Sequence, residues 1–259
     1  MYNVTTPAAN YAWLLVLEYL QNSTLRVQPR GLVCSEGPYS ITFLANMATL
    51  TIPERKLNYQ FAAAEAAWIL SGHSRLADLG PHATKWLPYS DDQFRTSGAY
   101  GPPFLHQLRY VVDTLIADPY SRQAVMTIWQ PNPRASRDIP CTVSLQFVIR
   151  DGVLHTYANM RSSDVWLGLP YDMITFTCMA AAVALSLPTR HELGNVTVTC
   201  PCGHLYEKDL EKVAHHCLKS SASNKKGQLV LSHFTCVEDF ISHLVKVAQG
   251  SPTKDLFLC

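Results

Sequence analysis

Two runs rich in β-branched and aromatic residues, 141–150 and 153–160, are separated only by Asp151-Gly152, and this pair constrains the fold more than any other feature of the chain. An Asp-Gly dipeptide suits the positive-φ positions of a two-residue hairpin turn, so the runs are expected to pair as antiparallel neighbours. A third run, 124–130, reads as a further strand. Strands need an apolar cover, and helical spacing at 10–21, 58–70, 103–117, 173–186 and 205–218 supplies it. The mixture predicts an α+β fold. With no internal repeat and no break in composition, residues 1–259 read as a single domain.

Bulk properties exclude several classes. A chain of 259 residues with 47% hydrophobic and 16% charged residues can bury a large core. Its 21 Lys and Arg against 20 Asp and Glu give a formal charge of +1, which offers no long-range attraction to nucleic acid or an acidic membrane. Any anion must be held by local groups. The apolar run Ala12 to Leu20 contains Trp13, Glu18 and Tyr19 and lacks a basic flank or cleavage site, so it reads as a buried helix. No stretch approaches the roughly 20 apolar residues that cross a bilayer, and a cytoplasmic location is expected. The eight cysteines are then expected to be thiols, and the sequons at Asn3, Asn22 and Asn195 are discounted.

The polar stretches 71–99 and 130–140 are long enough to be functional loops, and 219–227 reads as a surface loop. Cys200-Pro-Cys202-Gly-His204 with His215-His216-Cys217 offers soft metal ligands. Paired zinc cysteines favour two intervening residues, however, and His215 to Cys217 would face different ways on one helix, so no metal is expected. Cys141 follows Pro140 at a strand start, a rigid place where the adjoining loop can leave the sulfur accessible. Taken alone, a buried inert cysteine is the commoner outcome. Arg122 and Arg161 lie in short polar segments beside predicted strands. Arginine presents a planar fork of donors that suits phosphate, and a cation near Cys141 would lower the thiol pKa, although plain surface arginines are commoner.

These residues resemble the thymidylate synthase family through most of the chain. Pro140-Cys141-Thr-Val-Ser-Leu-Gln146-Phe147 looks like its nucleophile strand. Met160-Arg161-Ser162-Ser163-Asp164-Val165-Trp166-Leu167-Gly168-Leu169-Pro170 looks like its phosphate and folate segment. Glu65-Ala-Ala-Trp68, Trp86, Tyr100-Gly101 and Gly203-His204-Leu-Tyr206 match further family segments, and Arg30 fits a phosphate-loop arginine. The resemblance implies a mixed sheet with flanking helices, dimerising through the sheet, with Arg122 reaching the partner's active site. It implies 5,10-methylenetetrahydrofolate as cofactor, with Cys141, Glu65, Tyr100 and Asp172 as catalytic residues. Arg30, Arg122, Arg161, Ser162, Gln146, Asp172, His204 and Tyr206 are expected to bind the nucleotide, and Trp86, Asp164, Leu167, Gly168 and Tyr171 to line the folate pocket.

Four departures say which kind of member this is. Thr142 stands in place of histidine, Gln123 in place of a second arginine, Phe104 in place of tryptophan and Asp172 in place of asparagine. A carboxamide can accept from uracil N3-H and donate to O4, whereas a protonated Asp172 can donate to cytosine N3 while accepting from the N4 amino group. Asp172 therefore points to dCMP, and phage deoxycytidylate hydroxymethylases and methyltransferases look alike here. A phage-encoded chain would act in the host cytoplasm. The expected product is 5-methyl-dCMP with dihydrofolate, and the alternative is 5-hydroxymethyl-dCMP with tetrahydrofolate. A non-catalytic nucleotide-binding or structural relative is a further alternative, against which Cys141, Glu65 and Tyr100 together argue.

Overall fold

The computed structural model describes residues 1–213 and 229–251. Chain order begins with strand β1 (Tyr2–Thr5), helix α1 (Ala9–Gln21), the short strand β2 (Arg26–Val27) and the long strand β3 (Cys34–Leu44). Helices α2 (Tyr59–Leu70) and α3 (Gly101–Ala117) follow, then strands β4 (Val125–Thr127), β5 (Thr142–Arg150), β6 (Val153–Met160) and β7 (Ser163–Asp164). Helix α4 (Leu169–Ser186), strand β8 (Glu192–Tyr206) and helices α5 (Glu207–Lys212) and α6 (Val237–Ala248) complete the order. The eight strands form one mixed sheet in the order β1-β3-β8-β6-β5-β4, with β2 on β3 and β7 on β8. The fold is α+β, as the pattern predicts.

The Asp151-Gly152 hairpin forms as expected. Asp151 and Gly152 have φ of 52° and 78°, and β5 pairs antiparallel with β6 from Arg150↔Val153 to Thr142↔Met160. Central strands β3 and β8 escape periodicity, because both carry residues that read as turn signals. Gly37-Pro38 interrupts β3 at a register shift, and β8 contains Gly194, Pro201 and Gly203. The expected helix at 205–218 begins only at Glu207, because β8 runs on to Tyr206. His215, His216, Cys217, the 219–227 stretch and the tail beyond residue 251 lie outside the described residues.

Local chemistry sets the helices. The Ala-rich sequence of α2 favours helix, and Asn58 caps it by accepting from the Phe61 amide at 2.8 Å. Pro102 and Pro103 open α3, where a missing N–H costs nothing. Helices α1, α3 and α4 pack on one face of the sheet, over Ile41, Phe147 and Val198. Each such large apolar side chain removed from water stabilises the fold by about 2 kcal/mol. Among the described residues α4 alone is long and apolar enough to cross a membrane, which corrects the expectation that no stretch comes near that length. It is 83% buried within the fold and serves as its central helix. Among the described residues, no helix packs over the opposite face of the sheet. There Ser40 pairs with Thr199 at 3.0 Å and Thr42 with Thr197 at 2.9 Å, beside exposed Tyr157 and Asn159. All six described cysteines are free thiols.

Candidate active site

Cys141 sits at the head of β5, held there by one residue. Arg161 donates its backbone N–H to the Cys141 carbonyl at 2.8 Å, its Nε to the Pro140 carbonyl at 3.0 Å and an Nη to the Ile139 carbonyl at 2.9 Å. The same guanidinium lies 4.0 Å from Cys141 Sγ and 5.5 Å over the Trp129 ring. The cation is thus beside the sulfur, but the thiol pKa is not lowered. Burial and then the Asp172 charge push it up to about 11, outweighing the pull of Arg161 and Arg30. The expectation of a depressed thiol pKa is reversed because desolvation is the larger effect.

Glu65 projects from the middle of α2 and is buried at 8% exposure. Burial and the Asp172 charge raise its pKa to about 8, against smaller opposing effects of Trp86 and Lys85. The Trp86 indole N–H is buried and acts on Glu65 without reaching full hydrogen-bond geometry. Asp172 lies in the first turn of α4, and burial, then the Asp164 charge, raise it to about 7. Tyr100, at the N-terminus of α3, has its pKa driven well above 10 by burial and by the charges of Asp172 and Cys141. The Asp172 charge therefore reaches Glu65, Tyr100 and Cys141, three groups set on separate parts of the fold. At Gly168 a Cβ would press on the Asp164 carbonyl at 3.3 Å, while Asp172 Oδ2 at 3.6 Å would be in ordinary contact.

A second row runs along β7 and β8, which pair through Ser163↔Gly203 and Asp164↔His204. Ser162 Oγ is 3.4 Å from His204 Nδ1, and the His204 ring meets Tyr206 edge-on at 5.0 Å. His204 also approaches the Cys202 carbonyl at 3.3 Å. Asp164 accepts from the amides of Trp166 at 3.1 Å and Leu167 at 2.9 Å, fixing the turn into α4. Burial is the main cause of its raised pKa. Arg30 is exposed in a 3-10 turn with φ of 54°, and its charge reaches Cys141.

Two expected nucleotide ligands stand apart from this cluster. Arg122 is exposed between α3 and β4. Gln146 faces away from the buried Leu145 and Phe147, and its amide donates to the Arg122 carbonyl at 2.8 Å. Within one chain, Gln146 supports the Arg122 loop.

An aromatic wall adjoins the acids. Trp86 packs on Trp68 at 6.1 Å and on Tyr89 at 5.8 Å, Tyr171 meets Phe61 at 5.1 Å, and Leu167 is 49% exposed. Arg55 ties the wall together. It lies 5.1 Å over Trp166 and 5.9 Å from the Tyr171 ring, and donates to the Trp166 carbonyl at 3.2 Å. Sequence reasoning missed Arg55, Lys85 and the bond from Thr142 to Tyr100, because each acts on a partner remote in sequence.

A thiol at a strand head, buried acids with raised pKa values and an arginine rim define a site for covalent chemistry on a small anionic ligand. Residues 39–254 match the family model of thymidylate synthase. A thymidylate synthase of Buchnera aphidicola subsp. Baizongia pistaciae (strain Bp) is 24% identical over 193 residues, 70% of this chain and 72% of the Buchnera protein. The chain belongs to the thymidylate synthase family, whose members transfer a folate-borne one-carbon unit to C5 of a pyrimidine nucleotide. The aromatic wall fits the flat heterocycle of the family's cofactor, 5,10-methylenetetrahydrofolate.

Proposed function

We propose that this chain, as one catalytic domain over residues 1–259, transfers a one-carbon unit to C5 of dCMP and yields 5-methyl-dCMP. The observation that carries the dCMP assignment is Asp172, a carboxyl in the first turn of α4 with a pKa near 7. At that value a large share of the group is protonated under neutral conditions, so it can donate to cytosine N3 and accept from N4. Uracil carries its own N3–H and offers only an acceptor at O4, so it pairs with Asp172 only while the carboxyl keeps its proton, whereas cytosine N3 can take that proton and N4 still donates to the carboxylate.

Each remaining group has a task consistent with its surroundings. Protonating N3 draws electrons from C6 and opens it to the Cys141 sulfur. The thiol is neutral at rest, with its pKa near 11, so its proton passes to solvent as the C–S bond forms, and that bond breaks again, its electron pair returning to sulfur, when the nucleotide is released. Glu65, with a pKa near 8, exchanges protons with the ring environment at neutral pH. Arg161 and Arg30 flank the phosphate, Ser162 assists Arg161, and His204 and Tyr206 meet the sugar hydroxyl. 5,10-Methylenetetrahydrofolate supplies the one-carbon unit and, for a methyl product, the hydride. Trp86, Asp164, Leu167, Gly168 and Tyr171 shape the pocket for it and limit water. Tyr100 assists loss of the C5 proton to water, the C–H electron pair staying with the ring.

Members of the family act as homodimers, and the sheet face opposite α1, α3 and α4 suits that arrangement here. Arg122, exposed and apart from its own chain's cluster, is then free to cross to the partner's phosphate site. A second reading, hydroxymethylation to 5-hydroxymethyl-dCMP, is favoured by one observation. The buried hydroxyls of Tyr39 and Ser163 act on one another, with no further hydrogen bond formed by either, and the Asp172 and Cys141 charges both act on Tyr39. Such polar ground is suited to a water that could add to the activated carbon.

The test is incubation of the protein with 5,10-methylenetetrahydrofolate and either dCMP or dUMP, with mass spectrometry of the nucleotide. A methyl gain on dCMP is expected, together with dihydrofolate absorbance. A hydroxymethyl gain selects the second reading, product from dUMP alone removes the dCMP assignment, and no product from either removes catalysis.

A further inference from the structure

Thr142, which the resemblance marks only as a departure, is completely buried next to the nucleophile in β5. Its Oγ1 donates to the Tyr100 hydroxyl oxygen at 2.9 Å, and its backbone N–H donates to the same oxygen at 3.3 Å. A phenol oxygen has two acceptor positions and one hydrogen. With both acceptor positions taken by Thr142, the phenolic hydrogen has only one use left, to donate away from β5.

We infer that Thr142 is a positioning residue for C5 deprotonation, holding the Tyr100 oxygen by two donors so that its O–H points into the site and orients the water that takes the proton. The inference rests on the assignment of C5 chemistry made above. Three features of the geometry support it. The Thr142 side chain is shielded from solvent, so water does not compete for its hydroxyl. Its β-branched side chain has few rotamers, which fixes the direction of the bond. Residues 141 and 142 also bring both the attacking sulfur and the anchor of the proton-handling tyrosine onto one strand, so the two are held in register with each other. The two bonds from Thr142 oppose the rise in Tyr100 pKa that burial imposes, as expected of donors to its oxygen. In the step itself the C5–H bond breaks, its electron pair remains in the ring, and the proton passes to the oriented water and on to solvent.

Thr142→Val keeps the shape and the strand preference and removes only the hydroxyl, whereas Thr142→Ser keeps it. Tritium release from C5-labelled dCMP would be measured for wild type and both variants with 5,10-methylenetetrahydrofolate and also without it, where release reports exchange on the cysteine adduct alone. Binding of dCMP would be followed in parallel by calorimetry. The expected result is a fall of about tenfold or more in release for Thr142→Val in whichever condition wild type releases tritium, with dCMP affinity within about twofold of wild type and most of the rate restored in Thr142→Ser. Release by Thr142→Val at the wild-type rate overturns the inference. So does an equal loss of rate and affinity, which marks a structural role, or a Thr142→Ser rate as low as that of the valine variant. Wild type inactive in both conditions counts instead against the C5 assignment, which keeps the two failures distinct.

Discussion

At the inner end of the site, Glu65, Asp172, Tyr100 and Cys141 crowd four ionisable groups into a place where water is scarce, while at its rim Arg30 and Arg161 stand exposed. Burial moves all four inner groups upward in pKa, to about 8, about 7, well above 10 and about 11. The rim arginines face solvent, which screens what their charge does to their neighbours. Arg161 shows the contrast best, because 4.0 Å from Cys141 Sγ it still loses to desolvation. The inner end is therefore a store of protons, and the rim is a holder of fixed charge.

Removing the nucleophile should break the inner end most completely. Cys141→Ala is expected to lower C5 tritium release by at least about 10⁴-fold while leaving the fold intact. Release near the wild-type rate would take Cys141 out of the reaction. Asp172→Asn changes the donor pattern without touching the rim, and should shift the dCMP-to-dUMP ratio of kcat/KM towards dUMP by about 100-fold or more. Unchanged selectivity would show that the base is read elsewhere. A third change separates rim from interior. Thr197→Arg places a charge on the sheet face opposite α1, α3 and α4, and sedimentation should show monomers with weakened nucleotide binding. A dimer of wild-type affinity would mean that another surface pairs the chains.

The proton store also sets a stability signature. Unfolded Asp and Glu lose their protons near 3.8 and 4.5, whereas Asp172 and Glu65 in the fold hold theirs to about 7 and about 8. Between those limits the folded chain binds more protons than the unfolded one, so stability is fully present below about pH 4 for these two groups and is lost as pH rises to 8. Urea denaturation at pH 5 and pH 8 should show a fall on the order of a few kcal/mol, and Asp172→Asn should reduce it. A wild-type stability that rises over this range, or an unchanged slope in the variant, would contradict the buried-acid account.

How much of this was legible in the sequence differs between the same two regions. The hairpin of β5 and β6 follows from Asp151-Gly152, so the platform under Cys141 could be read directly; the apolar run shows α4 only from 173, and the turn from Leu169 that carries Asp172 lay outside it. Strands β3 and β8 could not be read, because Gly37-Pro38 and the Gly and Pro residues of β8 imitate turns, although these strands form the middle of the sheet. Helix α6 was also missed, its buried Phe240, Leu244 and Val247 being too few to outweigh its polar residues. Positions 65, 100, 141 and 172 share no period, and only family resemblance could join them before the fold did. The thiol pKa was misread because a neighbouring arginine is visible in sequence and desolvation is not.

The smallest effect tests the rim alone. Gln123 is exposed beside Arg122, its carbonyl accepting from the Tyr110 hydroxyl at 3.2 Å and its amide donating to Ser121 Oγ at 3.1 Å. Both bonds use the backbone of Gln123, so its side chain can be changed without disturbing the loop. Gln123→Arg adds one cation to the phosphate-binding rim of the proposed dimer. Because that charge is solvent-exposed, it should lower the KM for dCMP by only about threefold at low salt, with kcat unchanged. Raising the ionic strength to about 0.5 M should erase most of the gain, since the Debye length then falls to a few ångströms. A change in kcat, or a gain that survives high salt, would mean that position 123 communicates with the buried acids and that inner end and rim are not separable.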